Sequence, residues 1–407
     1  MIQRDALSIR FLSSEKDRLA RSLAELAVDP YGIRIMAPKG ASYCIRLGPI
    51  SYPAANILKQ EMLSLGGECA LPRDIITGKV RSTFCILLAT ASQLLKLKEK
   101  LRAQPFGLEA LGQGLFRALD NQEKKEYSVR LAGRSMSLKG RCRVMGIVNL
   151  TLDSFSGDGL FRSGRVEPEV IVEHCLGLCS QGADIIDIGG ESSRPGAIPA
   201  TAREELDRVI PVVRLLAKKT KTPISIDTYK PEVAARALSA GASIVNDITG
   251  LRTKTMAKLC GREKCGVVIM HMRGTPRTMQ GHTGYPCLLD ELSMFFSGAL
   301  ERCRQSGVRE ESVILDPGVG FAKTAEQNLE IIKNLSELRS LGRPLLVGVS
   351  RKSFIGKACG GIPPEERLAG SIAAGVLAAR NGAAILRAHD VKETVQALTI
   401  ASKIASA

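Results

Sequence analysis

The sequence predicts a (β/α)8 TIM barrel preceded by a small α/β domain, and three observations carry that expectation. Past about residue 143 one grammar recurs: a short β-branched apolar run, a polar or Gly-rich turn, then a longer stretch of helical periodicity. Continuously apolar runs between helices indicate parallel strands covered on their outside, and residues 141–407 suffice for eight such units closed into a barrel. Each run also ends on a residue able to do chemistry, which is where barrels of this kind build their sites. An open doubly wound sheet is the alternative; against it, none of the turns carries G-x-G-x-x-G.

Residues 1–140 read as the smaller domain. Residues 31–47 have strand-like patterning, 52–65 read as a helix stopped by Gly66-Gly67, 83–89 as a strand and 91–103 as a basic helix, with a polar join near 121–125. No constellation there points to chemistry. In the barrel, residues 141–407, strands are expected at 144–149, 184–189, 224–227, 243–247, 267–271, 313–316, 345–350 and 383–387. Amphipathic helices are expected at 203–219, 231–240, 324–341 and 367–381. The strand ends present Asn149, Asp187, Asp227, Asn246 with Asp247, His271, Asp316, Arg351 with Lys352, and Arg387 with His389.

Composition bounds the partners. At 44% hydrophobic, 24% charged and 4% aromatic, the 407-residue chain is globular, not disordered, collagenous or membrane-spanning. No apolar run approaches the ~18 residues of a membrane span, and no signal peptide or anchor is read at the start, so a cytoplasmic protein without membrane partners is expected. The 11 cysteines include no C-x-x-C pair and read as reduced thiols. Net charge is +16, with 22 basic against 13 acidic residues up to Lys139, so both parts are basic. No basic run is interleaved with aromatics; a phosphorylated small substrate is therefore preferred over nucleic acid.

The loops after the strands carry the candidate site. Residues 145–156 run from a strand into hydroxyls, one carboxylate and the amide of Asn149, a neutral oxygen of the kind Mg2+ accepts while keeping its waters and phosphate ligands; an ordinary polar turn explains them equally well. Residues 187–197 present Arg194 on a turn made by Pro195-Gly196, either a solvated surface turn or an anion-binding loop. Asp227, Asn246 and Asp316 close three strands, and their joint placement suits a heterocycle with paired N–H donors such as the guanidine-like edge of a pterin. Asp247 reads as a cap for the following helix, and His271 as a satisfied rim residue. Residues 350–353 and 387–390 place cations and hydroxyls at helix starts after the last two strands, where barrels hold phosphate.

Residues 145–156, 187–197, 226–228, 246–248, 270–280, 315–323, 350–356 and 387–391, in that order, resemble the dihydropteroate synthase family, over roughly two thirds of the chain. The family joins p-aminobenzoate to a dihydropterin released from its diphosphate, a step of folate biosynthesis. Residues 52–70 look like the extra domain of its long-form members. The resemblance implies that Asp227, Asn246, Met270, Asp316, Lys352 and Arg387 bind the pterin, and that Asn149, Ser193, Arg194, Arg387 and His389 hold the diphosphate, with Asn149 on Mg2+. Phe155, Phe321, Arg351 and Ser353 would take p-aminobenzoate, and Asp153 lies with Phe155 on a loop closing over both substrates. Asp153, Arg194, Lys352, Arg387 and His389 are the implied catalytic set. The sequence departs from the family pattern at Leu152, where Pro is usual, at 157–159, and at Ser193, where Thr is usual. Losing that Pro raises the cost of ordering the loop by ~0.4 to 1 kcal/mol, too little to abolish chemistry.

The implied chemistry is a transfer: diphosphate leaves a methylene on an electron-rich ring, and a weakly basic arylamine attacks the resulting cation, without a strong general base. A methyltetrahydrofolate:corrinoid methyltransferase would share Asp227, Asn246 and Asp316 but needs no diphosphate site, so 350–352 and 387–389 favour the synthase. A non-catalytic pterin-binding protein whose basic N-terminal domain docks a partner is the reading from another class. The resemblance further implies a homodimer and inhibition by sulfonamides.

Overall fold

Asp29 and Pro30 turn a segment with strand-like patterning into a helix. The Asp29 carboxylate accepts from the Tyr31 and Gly32 backbone N–H groups at 2.8 and 3.4 Å. Pro30 presets φ at the first helical position, so residues 30–40 coil before the chain extends. The expected strand over 31–47 is therefore corrected to a helix followed by a strand.

The computed structural model describes residues 16–124, 126–150, 161–162, 165–192 and 196–406. The first of its two units, Met1–Leu119, contains α1 (Lys16–Glu25), α2 (Pro30–Gly40), β1 (Ser42–Ser51), α3 (Tyr52–Ser64), β2 (Glu68–Ala70), β3 (Ser82–Thr90), α4 (Ala91–Leu101) and most of α5 (Leu108–Glu123). Its strands form an antiparallel sheet in the order β1-β3-β2. Leu58, Leu87, Leu94, Leu97 and Leu108 fill the core, and a capping box between Thr90 and Gln93 starts α4. The polar join expected at 121–125 is helical up to Glu123.

The second unit, Asp120–Ala407, opens with the hairpin β4 (Ser128–Leu131) and β5 (Arg134–Ser137). Then follow β6 (Arg143–Asn149), the ribbon β7 (Phe161–Arg162) and β8 (Arg165–Val166), α6 (Pro168–Ser180), β9 (Ile185–Gly189), α7 (Ala202–Lys219), β10 (Ile224–Asp227) and α8 (Pro231–Ala240). Next come β11 (Ile244–Asp247), α9 (Lys254–Glu263), β12 (Gly266–Met270), α10 (Leu288–Gln305), β13 (Val313–Asp316) and α11 (Ala325–Lys333). The chain ends with β14 (Leu345–Gly348), α12 (Ser353–Ala358), α13 (Leu368–Arg380), β15 (Ala383–Ala388) and α14 (Val391–Ser406). The expected helix over 324–341 stops at Lys333 and continues as a tighter 3-10 turn, Leu335–Leu341.

Strands β6 and β9 to β15 close a parallel barrel in chain order, as the repeating grammar predicts. Inside its N-terminal half, Met145, Ile185, Ile244, Val268, Ile314, Leu346 and Ile385 meet Val129, Leu131 and Leu138 from the hairpin and the residues after it. The hairpin thus plugs the barrel floor; a Cβ at Gly266 would come within 2.7 Å of the Leu131 side chain. This packing is why the units divide at Leu119, earlier than residue 140. Burying each such aliphatic side chain contributes about 1.5–3 kcal/mol, so the floor fixes the register from which the opposite ends of the strands project.

Candidate active site

At the C-terminal mouth the strand ends bring four polar side chains from distant sequence into one network. Arg387, on β15, donates through Nε to Asp187 Oδ2 at 2.7 Å and through Nη2 to Asp227 Oδ2 at 2.8 Å. Asn246, ending β11's apolar run, donates from Nδ2 to the same Asp187 oxygen at 3.2 Å. Asp187 is fully buried in the middle of β9, and its Oδ1 has no hydrogen-bond partner among the described residues. Burial pushes the Asp227 carboxyl up to about 7, against the pull of Arg387 and with the push of Asp187. Burial alone would lower the Arg387 guanidinium; Asp187 and Asp227 more than offset it and hold it above its ordinary value. Gly189, which ends β9, sits between two of these strand ends: a Cβ there would lie 3.4 Å from the Asp227 Cβ and 3.6 Å from Asn149 Oδ1.

Across the mouth, the loop after β13 folds around two lysines. Asp316 Oδ1 accepts from the Gly318 N–H at 2.7 Å, and burial raises its pKa against the pull of that bond and of Lys352. Lys352 donates to the Val319 carbonyl at 2.9 Å, and its ammonium stands 4.2 Å from the centre of the Phe321 ring. Burial lowers Lys352 to about 8 although Asp316 opposes the shift. Lys323 is buried too, and burial lowers it to about 7. Met270 lies in an apolar cluster with Ile248, Met272, Met279 and Ala322, against which Tyr229 and Phe321 pack. The mouth therefore offers an apolar cluster beside hydrogen-bonding carboxylates and cations.

On the anion side, Ser350 Oγ lies 3.0 Å from His389 Nδ1 and accepts from the His389 backbone N–H at 3.2 Å. The hydroxyl has one donor and two acceptor sites, so the direction of its bond to Nδ1 follows the ring tautomer. Burial, with Arg387 nearby, lowers the His389 ring to about 3, so the ring is neutral. Arg351, at φ 58°, is held by Asp390 through bonds of 3.1 and 2.6 Å, so a carboxylate arriving there competes with Asp390. Ser353 is the exposed first residue of the short helix α12. Asp153, Phe155, Ser193 and Arg194 lie outside the described residues. The stems of the 187–201 segment are pinned: Glu191 accepts from Tyr229 Oη at 2.9 Å, from the Ala200 N–H at 3.1 Å, and from Lys230, which also reaches Glu205 at 2.6 Å.

Two buried charges went without a role in the sequence reading. Asp187 had a signal, a carboxylate inside an otherwise apolar strand; Lys323 had a weaker one, a lysine closing an apolar, glycine-spaced loop. Asp247 does serve structure, though as a turn: its carboxylate accepts from Thr249 N–H at 2.8 Å and Leu251 N–H at 3.0 Å, ahead of α9. His271 is buried edge-on to Phe295, with centroids 4.9 Å apart, and burial lowers it to about 2, so its ring is neutral.

Comparison with known proteins identifies the family. The family model described as pterin binding enzyme matches residues 145–389. Dihydropteroate synthase of Synechocystis sp. is 45% identical over 265 residues, 65% of this chain and 90% of its own. The solved structure of Xanthomonas albilineans dihydropteroate synthase with 4-aminobenzoic acid superposes at TM-score 0.64 and 42% identity, covering 69% of this chain and 99% of that one. A Helicobacter pylori bifunctional dihydropteroate synthase/dihydropteroate reductase is 34% identical over 388 residues, 94% of this chain and 96% of its own. The chain belongs to the dihydropteroate synthase family, the transferases of folate biosynthesis that condense p-aminobenzoate with hydroxymethyl-dihydropterin diphosphate.

Proposed function

We propose that this chain carries out that condensation with the pterin ring held by Asp227, Asn246, Asp316 and Lys352 against Met270, and with the diphosphate at Asn149, His389 and the cationic face of Arg387. One observation carries the reading: Arg387 bridges Asp187 and Asp227 at 2.7 and 2.8 Å, so the same guanidinium borders the ring-binding carboxylates and the anion side. Arg387 takes one acceptor site of Asp227 Oδ2, and the carboxylate keeps further acceptor sites for a ring N–H. Loss of diphosphate leaves a ring-stabilised cation; ionised Asp227 and Asp316 favour that charge, while Arg387 and the neutral His389 ring receive the expelled oxygens. The arylamine, against Phe321 and Ser353, then attacks the methylene and loses its proton to solvent.

Asn149 is a single neutral oxygen donor, and among the described residues no group of three His, Cys, Asp or Glu could hold a metal ion. Such a donor set fits Mg2+ that arrives with the diphosphate and keeps most of its own ligands. Bound there, it would neutralise charge on the leaving group.

Purified protein given both substrates and Mg2+ should form dihydropteroate and diphosphate; absence of product with all present sinks this reading. Sulfonamides should compete with p-aminobenzoate, as the Yersinia pestis enzyme's structure with a sulfonamide drug complex suggests. A homodimer is supported by Leu377, Ile400 and Ile404, left exposed on α13 and α14, and cytoplasmic residence by eleven free thiols. A second reading, favoured by the near full-length match to the Helicobacter pylori protein, adds reduction of dihydropteroate; supplying product with a reduced nicotinamide or flavin tests it directly.

A further inference from the structure

Among the described residues Lys323 hydrogen-bonds none of the side chains that grip the ring, though it feels the charge of Asp316, and its ammonium gathers the loop that faces the second substrate. Its Nζ lies 2.9 Å from the Phe321 carbonyl, 3.1 Å from the Gly318 carbonyl and 3.1 Å from His271 Nδ1, with the His271 carbonyl at 3.4 Å. The three carbonyl oxygens accept from it, and His271 Nδ1 completes its set of polar neighbours. Two of these groups belong to the turn 318–321, closed by the Phe321 N–H to the Gly318 carbonyl at 3.0 Å. The others belong to His271, just past the end of β12, so the side chain ties that turn to the barrel. The same turn presents the Val319 carbonyl to Lys352 and the Phe321 ring beneath the Lys352 ammonium. Its backbone leaves little room to shift: a Cβ at Gly318 would lie 2.0 Å from the His271 carbonyl oxygen, and one at Gly320 2.9 Å from Lys352 Cδ.

We propose that Lys323 is a positioning residue for the arylamine half of the reaction, holding the Gly318–Phe321 turn against His271 so that the Phe321 ring is presented to the second substrate. The inference rests on the assignment of Phe321 to the p-aminobenzoate site made above. Asp316 ends strand β13 and Lys352 enters from the segment between β14 and α12, so the backbones that carry both side chains lie outside the turn and loss of the Lys323 tie falls mainly on Phe321.

Steady-state kinetics on the full chain test this with Lys323→Met and Phe321→Leu side by side. Lys323→Met should raise KM for p-aminobenzoate about tenfold or more and leave KM for the dihydropterin diphosphate within about twofold, with Phe321→Leu shifting the same constant. A uniform change in both constants, or none, overturns the proposal while Phe321→Leu still behaves as expected. If Phe321→Leu also leaves the arylamine constant unchanged, the placement of Phe321 fails and the inference fails with it. Should Lys323→Met not fold, His271→Leu removes the ring nitrogen instead and must show the same arylamine-selective rise, smaller in size; unchanged constants there reject the role.

Discussion

At the floor of the barrel the interior is closed by Met145, Ile185, Ile244, Val268, Ile314, Leu346 and Ile385 against Leu131 and its neighbours; at the mouth strands β9, β10, β11, β13 and β15 carry Asp187, Asp227, Asn246, Asp316 and Arg387 in turn. Both ends are buried, but water is excluded for different reasons. Apolar contact at the floor is non-directional and strengthens with area removed from water. At the mouth each buried charge is tolerable only because a strand from elsewhere in the barrel brings it a partner. The difference teaches that the floor is where stability is concentrated and the mouth is where pKa values and geometry have been moved away from their ordinary settings, at a cost the floor offsets.

Four substitutions can break or sharpen that contrast. Arg387→Ala should lower kcat by about 10²–10³-fold, the scale of removing one preorganised donor at a developing anion, with cooperative unfolding retained because the two freed carboxylates can take up protons; a wild-type rate would remove Arg387 from the anion side. Leu131→Ala should cost about 2–5 kcal/mol of stability, read from urea midpoints, and leave kcat per folded molecule unchanged. A fall in kcat without loss of stability would undo the assignment of the two ends.

Asp227 offers a pH test. Its folded pKa of about 7 lies above the ordinary 3.8, so its stabilising contribution is complete below about 4 and is lost as pH rises through about 7. Asp227→Asn should flatten that part of the stability curve. In the proposed site the ionised form would accept the ring N–H, so pterin affinity should rise with pH through about 7 in the wild type and stay level in the variant; parallel curves would show that another group titrates. The smallest effect is expected at Gly320, with φ 86° and Lys352 Cδ 2.9 Å from any added Cβ. Gly320→Ala should cost about 1–2 kcal/mol for the left-handed backbone and raise KM for the pterin substrate by displacing Lys352. An unchanged KM would mean that the lysine accommodates the methyl group without moving its ammonium.

The sequence reading located the barrel strands to within a residue or two, because an apolar run between two helices is a local signal that eight repeats make hard to misread. The first unit is less legible: residues 31–47 carry strand-like patterning, whereas the Asp29 cap and Pro30 act on the backbone directly and start a helix there. The hairpin 128–137 passed unnoticed because nothing in its sequence says that it will be the plug of a barrel made from the following residues.

By itself the sequence determined the repeating units, the strand-end positions of Asn149, Asp227, Asn246, Asp316 and Arg387, and the basic character of the chain, since periodicity, turn chemistry and charge are properties of neighbours along the polypeptide. Only the tertiary structure decided that Arg387 is shared by Asp187 and Asp227, that His389 is neutral, that Arg351 is taken up by Asp390 and that Lys323 gathers the turn before it. The reason is physical: a side chain's charge state and partner depend on what surrounds it in space, and closing the barrel is what sets those surroundings.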